Sequence, residues 1–217
     1  MTTPSDLLAR QLGADAARPL FTFYDDATGE RVELSVATTA NWVAKTANFL
    51  VDEHGIDVGD VIAIRLPLHW QTAVLLLAGW SAGARIGFDD GPAAVTFVSN
   101  DVTATGEVIH LSLAAMGGDF SRLVAASPDA FAAVSPSGDD VVGSAPIDLP
   151  HGARVLTMLP YDVAAGLGYG LVAPLAVDGS VVMVRNPKLA GLAERAEVER
   201  VTHTLGVDVA GVPRLDG

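Results

Sequence analysis

Apolar and polar positions change rhythm several times along this chain, and each change marks an element. Phe21–Tyr24 and Arg31–Leu34 are β-forming runs separated by the acidic, glycine-ended stretch Asp25–Gly29, which predicts a hairpin. Ser35 then stands as a helix cap. Ala40, Val43, Ala47, Leu50 and Val51 follow at the helical period, with Trp42 and Phe49 widening the face until Gly55 stops it. Val61–Leu66 reads as a strand, Trp70–Ala82 as a helix apolar on every side, and Ala84–Phe88 as a second strand ending at Asp89-Asp90. Strand, buried helix and strand of these lengths form a βαβ crossover, whose strands must be parallel and whose helix must be covered on both sides.

The pattern then continues through two short strands, Ala94–Val98 and Val108–Leu113, and a short helix within Phe120–Ser127. Ser127–His151 has no sustained period and reads as irregular surface chain. Order returns with a strand at Ala153–Leu159, a Gly/Ala-rich helix after Pro160 that ends near Pro174, and a strand at Ser180–Val184. An amphipathic helix over Leu189–Leu205 and a last strand at Val207–Ala210 complete the expectation. The alternation predicts a layered α/β fold, a largely parallel sheet with flanking helices, in a single domain over residues 1–217.

Composition narrows the function. Acids outnumber bases by 26 to 13, a net charge of -13, and such a surface repels phosphate backbones and anionic lipid; neither nucleic acid nor membrane is an expected partner. With no cysteine there is no disulfide, thiolate metal site or cysteine nucleophile, which suits a reducing, cytoplasmic setting. Met1–Arg18 has no basic segment followed by an apolar one, so no signal peptide is expected. The two most apolar stretches, 66–84 and 155–177, are interrupted by Pro67, His69 and Gln71 and by Pro160, Asp162 and Pro174, and read as buried elements rather than membrane spans.

Several segments together resemble the N-terminal part of the adenylate-forming superfamily of acyl-CoA synthetases, peptide-synthetase adenylation domains and luciferases. Leu34-Ser35 with Ala47–Leu50 resembles its first strand-to-helix motif, and Val58–Val61 followed by Leu66-Pro67 its "pGD-V…LP" segment. Trp80–Ala84 resembles its "L-K-A-G-A" turn, Val155–Pro160 with Gly166-Leu167 its "LP…GL" motif, and Pro174-Leu175 with Gly179 its "pLl-G" step. Val201-Thr202 and Gly211–Pro213 resemble its "vT…vP" stretch. The family's phosphate-binding loop should precede the "LP…GL" motif, yet the interval Asp139–Gly152 carries no lysine and is too short for that loop and the helix after it. Val163 and Phe88 stand where the family has an aromatic or His residue and a proline. The family's metal-binding acid and catalytic lysine would lie beyond Gly217, a truncated pattern that resembles a group of short actinobacterial proteins. The resemblance therefore implies a non-catalytic, AMP-binding-like module with no catalytic residue, metal or cofactor of its own. Its expected role is binding or interaction, as a homo-oligomer or with another protein chain. Two alternatives remain: a binder or enzyme for a small acyl or aromatic carboxylic acid, and half of a split adenylating enzyme.

Candidate binding residues are few. Gly166–Gly170 lacks the dinucleotide-loop spacing and reads as a close-packed helix. His54, His69, His110, His151 and His203 show no ligand spacing; His54 and His203 are expected near helix ends, and His69 as a cap or flank of the buried helix. Asp89 and Asp90 end a parallel strand, where α/β proteins tend to bind ligands, although such acids more often begin a solvated turn. Tyr161, Asp162 and Tyr169 flank the segment that lines the acyl pocket in the resembled family. Tyrosines there either present a free hydroxyl to a cleft or pack in the core.

Overall fold

A computed structural model describes residues 2–113, 118–134 and 149–215. Most of the interval Asp139–Gly152 and part of the irregular stretch 127–151 lie outside the described residues. The hairpin, β1 (Pro19–Asp25) and β2 (Glu30–Ser35), pairs antiparallel as expected, and α2 (Val36–His54) follows with Ser35 as its cap and Gly55 at φ 60° closing it. The βαβ unit is β3 (Val61–Arg65), α3 (Trp70–Ser81) and β4 (Arg85–Gly87), with β3 and β4 parallel. Every residue of α3 is buried, for it lies against α1 (Pro4–Ala14), α2, β1, β3 and β4.

The parallel strands form two sheets rather than one. β5 (Val95–Ser99) and β6 (Val108–Leu111) join the first unit in the order β4-β3-β5-β6. After a short α4 (Asp119–Leu123), the remaining strands assemble on the N-terminal hairpin: β7 (Arg154–Thr157), β8 (Ser180–Arg185), β9 (His203–Leu205) and β10 (Arg214–Leu215) give the order β10-β9-β7-β8-β1-β2. Because α3 touches β1 of one sheet and β3 and β4 of the other, its apolar surface on all sides is what lets both sheets share one core. An aromatic cluster closes that core. Trp70 lies 5.6 Å from Trp42 and 6.0 Å from Phe120, joining α2, α3 and α4. Trp42 is half-buried there and Phe49 is buried, so neither offers an open face.

Three elements differ from the sequence reading. Residues 4–14 form a helix where none was expected: Thr3 and Asp6 cap each other's backbone N–H and Pro4 supplies the first-turn φ. The helix after Pro160 ends near Pro174 as expected, at Ala176, but it is not continuous α-helix: it runs as α5 (Ala164–Leu167), a π-helical turn (Gly168–Val172) and α6 (Ala173–Ala176). The π turn changes the bonding register in the turn where Pro174 has no N–H to give. The helix expected over Leu189–Leu205 is only a 3-10 turn (Leu189–Gly191) and α7 (Leu192–Val198). Arg200 at φ 53° turns the chain, and His203–Leu205 enters the sheet as β9. Val207–Ala210 is consequently not a strand and makes a single bridge, Val209 to Val212.

At the end of α7 the buried carboxylate of Glu199 accepts hydrogen bonds from Tyr24, Arg31 and Arg154. Arg154 also donates to Ser180 Oγ at 3.0 Å and Thr22 Oγ1 at 2.9 Å, so one guanidinium ties β7, β8 and β1 to the helix end. Burial alone raises the Glu199 carboxyl, but the hydrogen bonds from Tyr24, Arg154 and Arg31 outweigh it and hold the group below its ordinary value. Glu199→Gln leaves Arg154 without a counter-charge in a mostly buried site, and a loss of roughly 3 kcal/mol is expected in urea unfolding. The linked pH effect follows in sign. A depressed carboxyl contributes stability above its unfolded value and loses it as pH falls through the folded one, so the variant's acid limb should be shallower than the wild type's. Equal acid limbs would refute this role for Glu199.

Candidate functional site

In open α/β sheets the ligand position is the C-terminal edge, above all where strand connections leave in opposite directions. In the six-stranded sheet β7 connects to β8 on one side, while β9, on its other side, leads on to β10. The crevice between β7 and β9 is therefore the topological switch point. It is filled. Met158 N donates to Leu205 O at 3.2 Å, and Leu159 lies so close over Gly206 that a Cβ there would sit 2.8 Å from its side chain. On the far side Gly166 sits under the Pro160 carbonyl, where a Cβ would come within 1.9 Å. Only glycine permits α5 to start so close to the turn.

The sequence candidates divide between the two sheets. Tyr161 is 1% exposed and its hydroxyl has no hydrogen-bond partner among the described residues; burial pushes its ionisation far up, so it is a neutral phenol. Asp162 is exposed in the next turn, and Tyr169 is half-buried against Leu159 and Leu205 in a small apolar cluster. These three share one turn-and-helix segment. Asp89 and Asp90 belong to the other sheet: Asp89 Oδ1 accepts from Gly91 N at 3.0 Å, and Asp90 forms an exposed ion pair with Arg65. That is the solvated-turn arrangement. Among the described residues no group of three or more acids or histidines is placed to hold a metal ion, and no helix is long and apolar enough to cross a membrane.

Charged groups at the β1/β8 end of the edge are occupied by one another. Asp25 accepts from Asn186 at 3.0 Å and from Ala27 N, with Arg185 3.9 Å away; burial raises its carboxyl, but these partners lower it further. Asp26 accepts from Arg195 at 2.6 Å and from Lys188 N at 2.7 Å, and Arg195 holds its carboxyl low. The chain's two lysines are Lys45 and Lys188. Lys45 lies on α2, away from this edge, and donates to Ser127 O at 2.7 Å.

His69, wholly buried, caps α3 as its sequence position suggested: its Nδ1 accepts from Gln71 N at 3.2 Å. Nε2 therefore carries the proton of the neutral ring, and it faces Glu30 Oε1 across 3.9 Å. His54, the last residue of α2, pairs with Glu107, whereas His203 lies in β9 because α7 ends early.

A separate hollow of about 620 Å³ lies on another face, between α1, α2 and the segment 129–133. Leu8 and Leu12 line it from α1, and Ala37, Ala40 and Ala44 from α2. The sequence reading missed it with the helix that forms one wall; the Thr3-Pro4-x-Asp6 capping pattern was the signal that would have found that wall.

Comparison with known proteins now bears on these features. No family model matches the chain. A protein of Mycobacterium tuberculosis (strain ATCC 25618 / H37Rv) described as a TIGR03089 family protein is 37% identical over 243 residues, covering 94% of this chain and 100% of its own length. Among solved structures, the N-terminal domain of FACL13 from Mycobacterium tuberculosis superposes with a TM-score of 0.75 at 16% identity, over 95% of this chain and 63% of that one. A Mycobacterium tuberculosis fatty acyl CoA synthetase gives 0.76 at 15% identity, over 94% and 49%. The anthranilate CoA ligase AuaEII, in complex with anthranoyl-AMP, gives 0.76 at 13% identity, over 94% and 48%. The chain thus spans 63% of the isolated domain and about half of each full-length synthetase.

The buried cap generates a pH prediction. Burial lowers the His69 ring below the ordinary imidazole value of 6.5, more than Glu30 raises it. The unfolded chain then takes up a proton that the folded chain refuses, so stability declines as pH falls below that value towards the folded one. His69→Asn retains a capping side chain without the titration. Urea midpoints between about pH 7.5 and 5 should vary less in the variant than in the wild type, and parallel profiles would remove His69 from the pH response.

Proposed function

Because the chain belongs to the TIGR03089 family and carries the α/β fold of the N-terminal domain of adenylate-forming acyl-CoA synthetases, we propose that it is a non-catalytic module serving as a binding or interaction protein. The observation that carries this reading is the packing of Leu159 onto Gly206 at the β7/β9 switch point. A nucleotide needs that crevice open, with successive backbone N–H groups and a cation over the phosphates. Here the Leu159 side chain lies over Gly206 at that position.

Two further features support the reading. The stretch from Ser112 to Ala153 contains no lysine, so no ammonium from it reaches a phosphate ahead of β7. Asp25 and Asp26 at the neighbouring strand end are already held by Asn186, Arg185 and Arg195. Catalysis of adenylation depends on neutralising several phosphate charges at once, and paired side chains do not supply that field. Binding of a small carboxylic acid near Tyr161 and Tyr169 is the second reading, favoured by the unpartnered Tyr161 hydroxyl.

Thermal unfolding against Mg-ATP, AMP, CoA, fatty acids and aromatic acids tests both. A ligand present at a hundredfold excess over its dissociation constant adds about 2.7 kcal/mol of stability. No shift is expected with any nucleotide. A shift with ATP or AMP would overturn the non-catalytic reading and point to half of a split enzyme, and a shift with acids alone, lost in Tyr161→Phe, would establish the acid binder.

A further inference from the structure

We propose that the hollow between α1 and α2 is a binding site for an uncharged, mainly hydrocarbon or aromatic small molecule; the inference rests on the reading of this chain as a binding module and names the ligand class. The hollow originates in the sequence of two facing helices. α1 turns Ser5, Leu8, Ala9 and Leu12 towards it, and α2 turns Ala37, Ala40, Asn41 and Ala44, flanked by Thr38 and Val43. Both sets have the spacing of a single helix face. Where α1 presents leucines and α2 presents short side chains, alanines with Thr38, Asn41 and Val43, the inter-helix space is left partly unfilled. At about 620 Å³ it falls within the range of small-molecule sites.

The remaining wall is a strap without regular structure, and it is deliberately held. Lys45 donates to Ser127 O at 2.7 Å, Asn48 to Pro128 O at 2.9 Å and Ala130 O at 3.0 Å, and Val134 N to Ser81 O at 2.9 Å. These bonds place Phe131 against the core as an aromatic wall between this hollow and a second one of about 400 Å³. Deep in the site the hydroxyls of Ser5 and Ser81 meet at 2.8 Å and offer one polar handle. The strap closes one flank of the groove, which suits a small molecule and obstructs a long partner helix.

Charge selects the class. Among the described lining residues Asp129 is the one charged side chain, and the nearby ammonium of Lys45 is turned to the strap carbonyls. An anion entering here meets a carboxylate and no cation, on a chain of net charge -13. Fatty and aromatic carboxylates are therefore excluded from this hollow, and any acid site must lie elsewhere.

The experiment is a fluorescence titration of the full chain with the neutral dye N-phenyl-1-naphthylamine, run in parallel with its anionic relative 1-anilinonaphthalene-8-sulfonate. Saturable binding of the neutral dye is expected, about tenfold or more tighter than the anionic dye. Ala37→Trp, which places an indole in the hollow from an exposed position, should weaken the neutral dye by about tenfold, the affinity lost with a modest contact area. Leu12→Asn, on the exposed rim, should weaken it without adding bulk and keeps the test valid should the tryptophan variant fail to fold. No saturable binding of the neutral dye, equal affinity for both dyes, or neutral-dye binding unchanged in both variants would overturn the site. So would a concentration-dependent dimer that both variants dissociate and that binds no dye, since it would assign the groove to a second copy. These outcomes are independent of the thermal-unfolding panel, whose nucleotide and acid arms test the two readings of the proposed function.

Discussion

The Arg154–Glu199 pair is the interaction on which the larger sheet depends. Parallel pairing of β1 with β8 brings residue 21 beside residue 181, and nothing local in the chain sets that register. Arg154 sets it by reaching Thr22 on β1 and Ser180 on β8 while Glu199 holds its charge from the helix end. Both faces of β1 and β8 are packed, so a slip of one residue on either strand would exchange the side chains of the two cores and leave a guanidinium or a carboxylate buried alone. A buried ion pair contributes little net stability by comparison with hydrocarbon, but it penalises every wrong alignment heavily, and here the alignment is what needs specifying.

At the C-terminal edge of the same sheet, ordinary side-chain packing lies over the switch point. The elements that would frame a crevice are all in place: the switch point, the turn after β7 and the helix behind it. What occupies the space is Leu159 on Gly206, with Gly166 letting the helix start press against Pro160. Small residues often allow a ligand to approach backbone; at these positions they allow the protein's own chain to approach. The hollow between α1 and α2 lies on a different face and has the opposite cause, mostly short side chains on α2 where a packed interface would carry larger ones.

Much of the fold was legible because its signals are local. The hairpin rested on Asp25–Gly29 between β-formers, α2 on Ser35 and Gly55, and the βαβ unit on the all-apolar run that became α3. Errors fell where the deciding contact is distant or the signal weak. Arg200 ends α7 in a left-handed conformation that a non-glycine residue does not advertise, so the apolar spacing through Val201 and Leu205 read on as helix. The division into two sheets was invisible because β1 chooses β8 across the length of the chain. Tyr161, Asp162 and Tyr169 follow β7, and their pattern does not distinguish a hydroxyl facing a cleft from one sealed in the core. The hollow between α1 and α2 leaves no mark in a hydrophobic pattern, since it consists of side-chain volume that is not there.

The pairing of the first strand with a late one also fixes an order of events during synthesis. β3 to β6 lie within residues 61–111 and can assemble as soon as that stretch has left the ribosome. β1 and β2 form a hairpin earlier still, yet the edge of β1 that takes β8 stays uncovered until residues 180–185 emerge. Through that interval the nascent chain exposes an unpaired row of backbone groups beside Phe21 and Phe23, the kind of edge that recruits strands from other molecules. Translation speed and chaperone occupancy over the middle of the message thus become part of the conditions under which this protein reaches its native sheet.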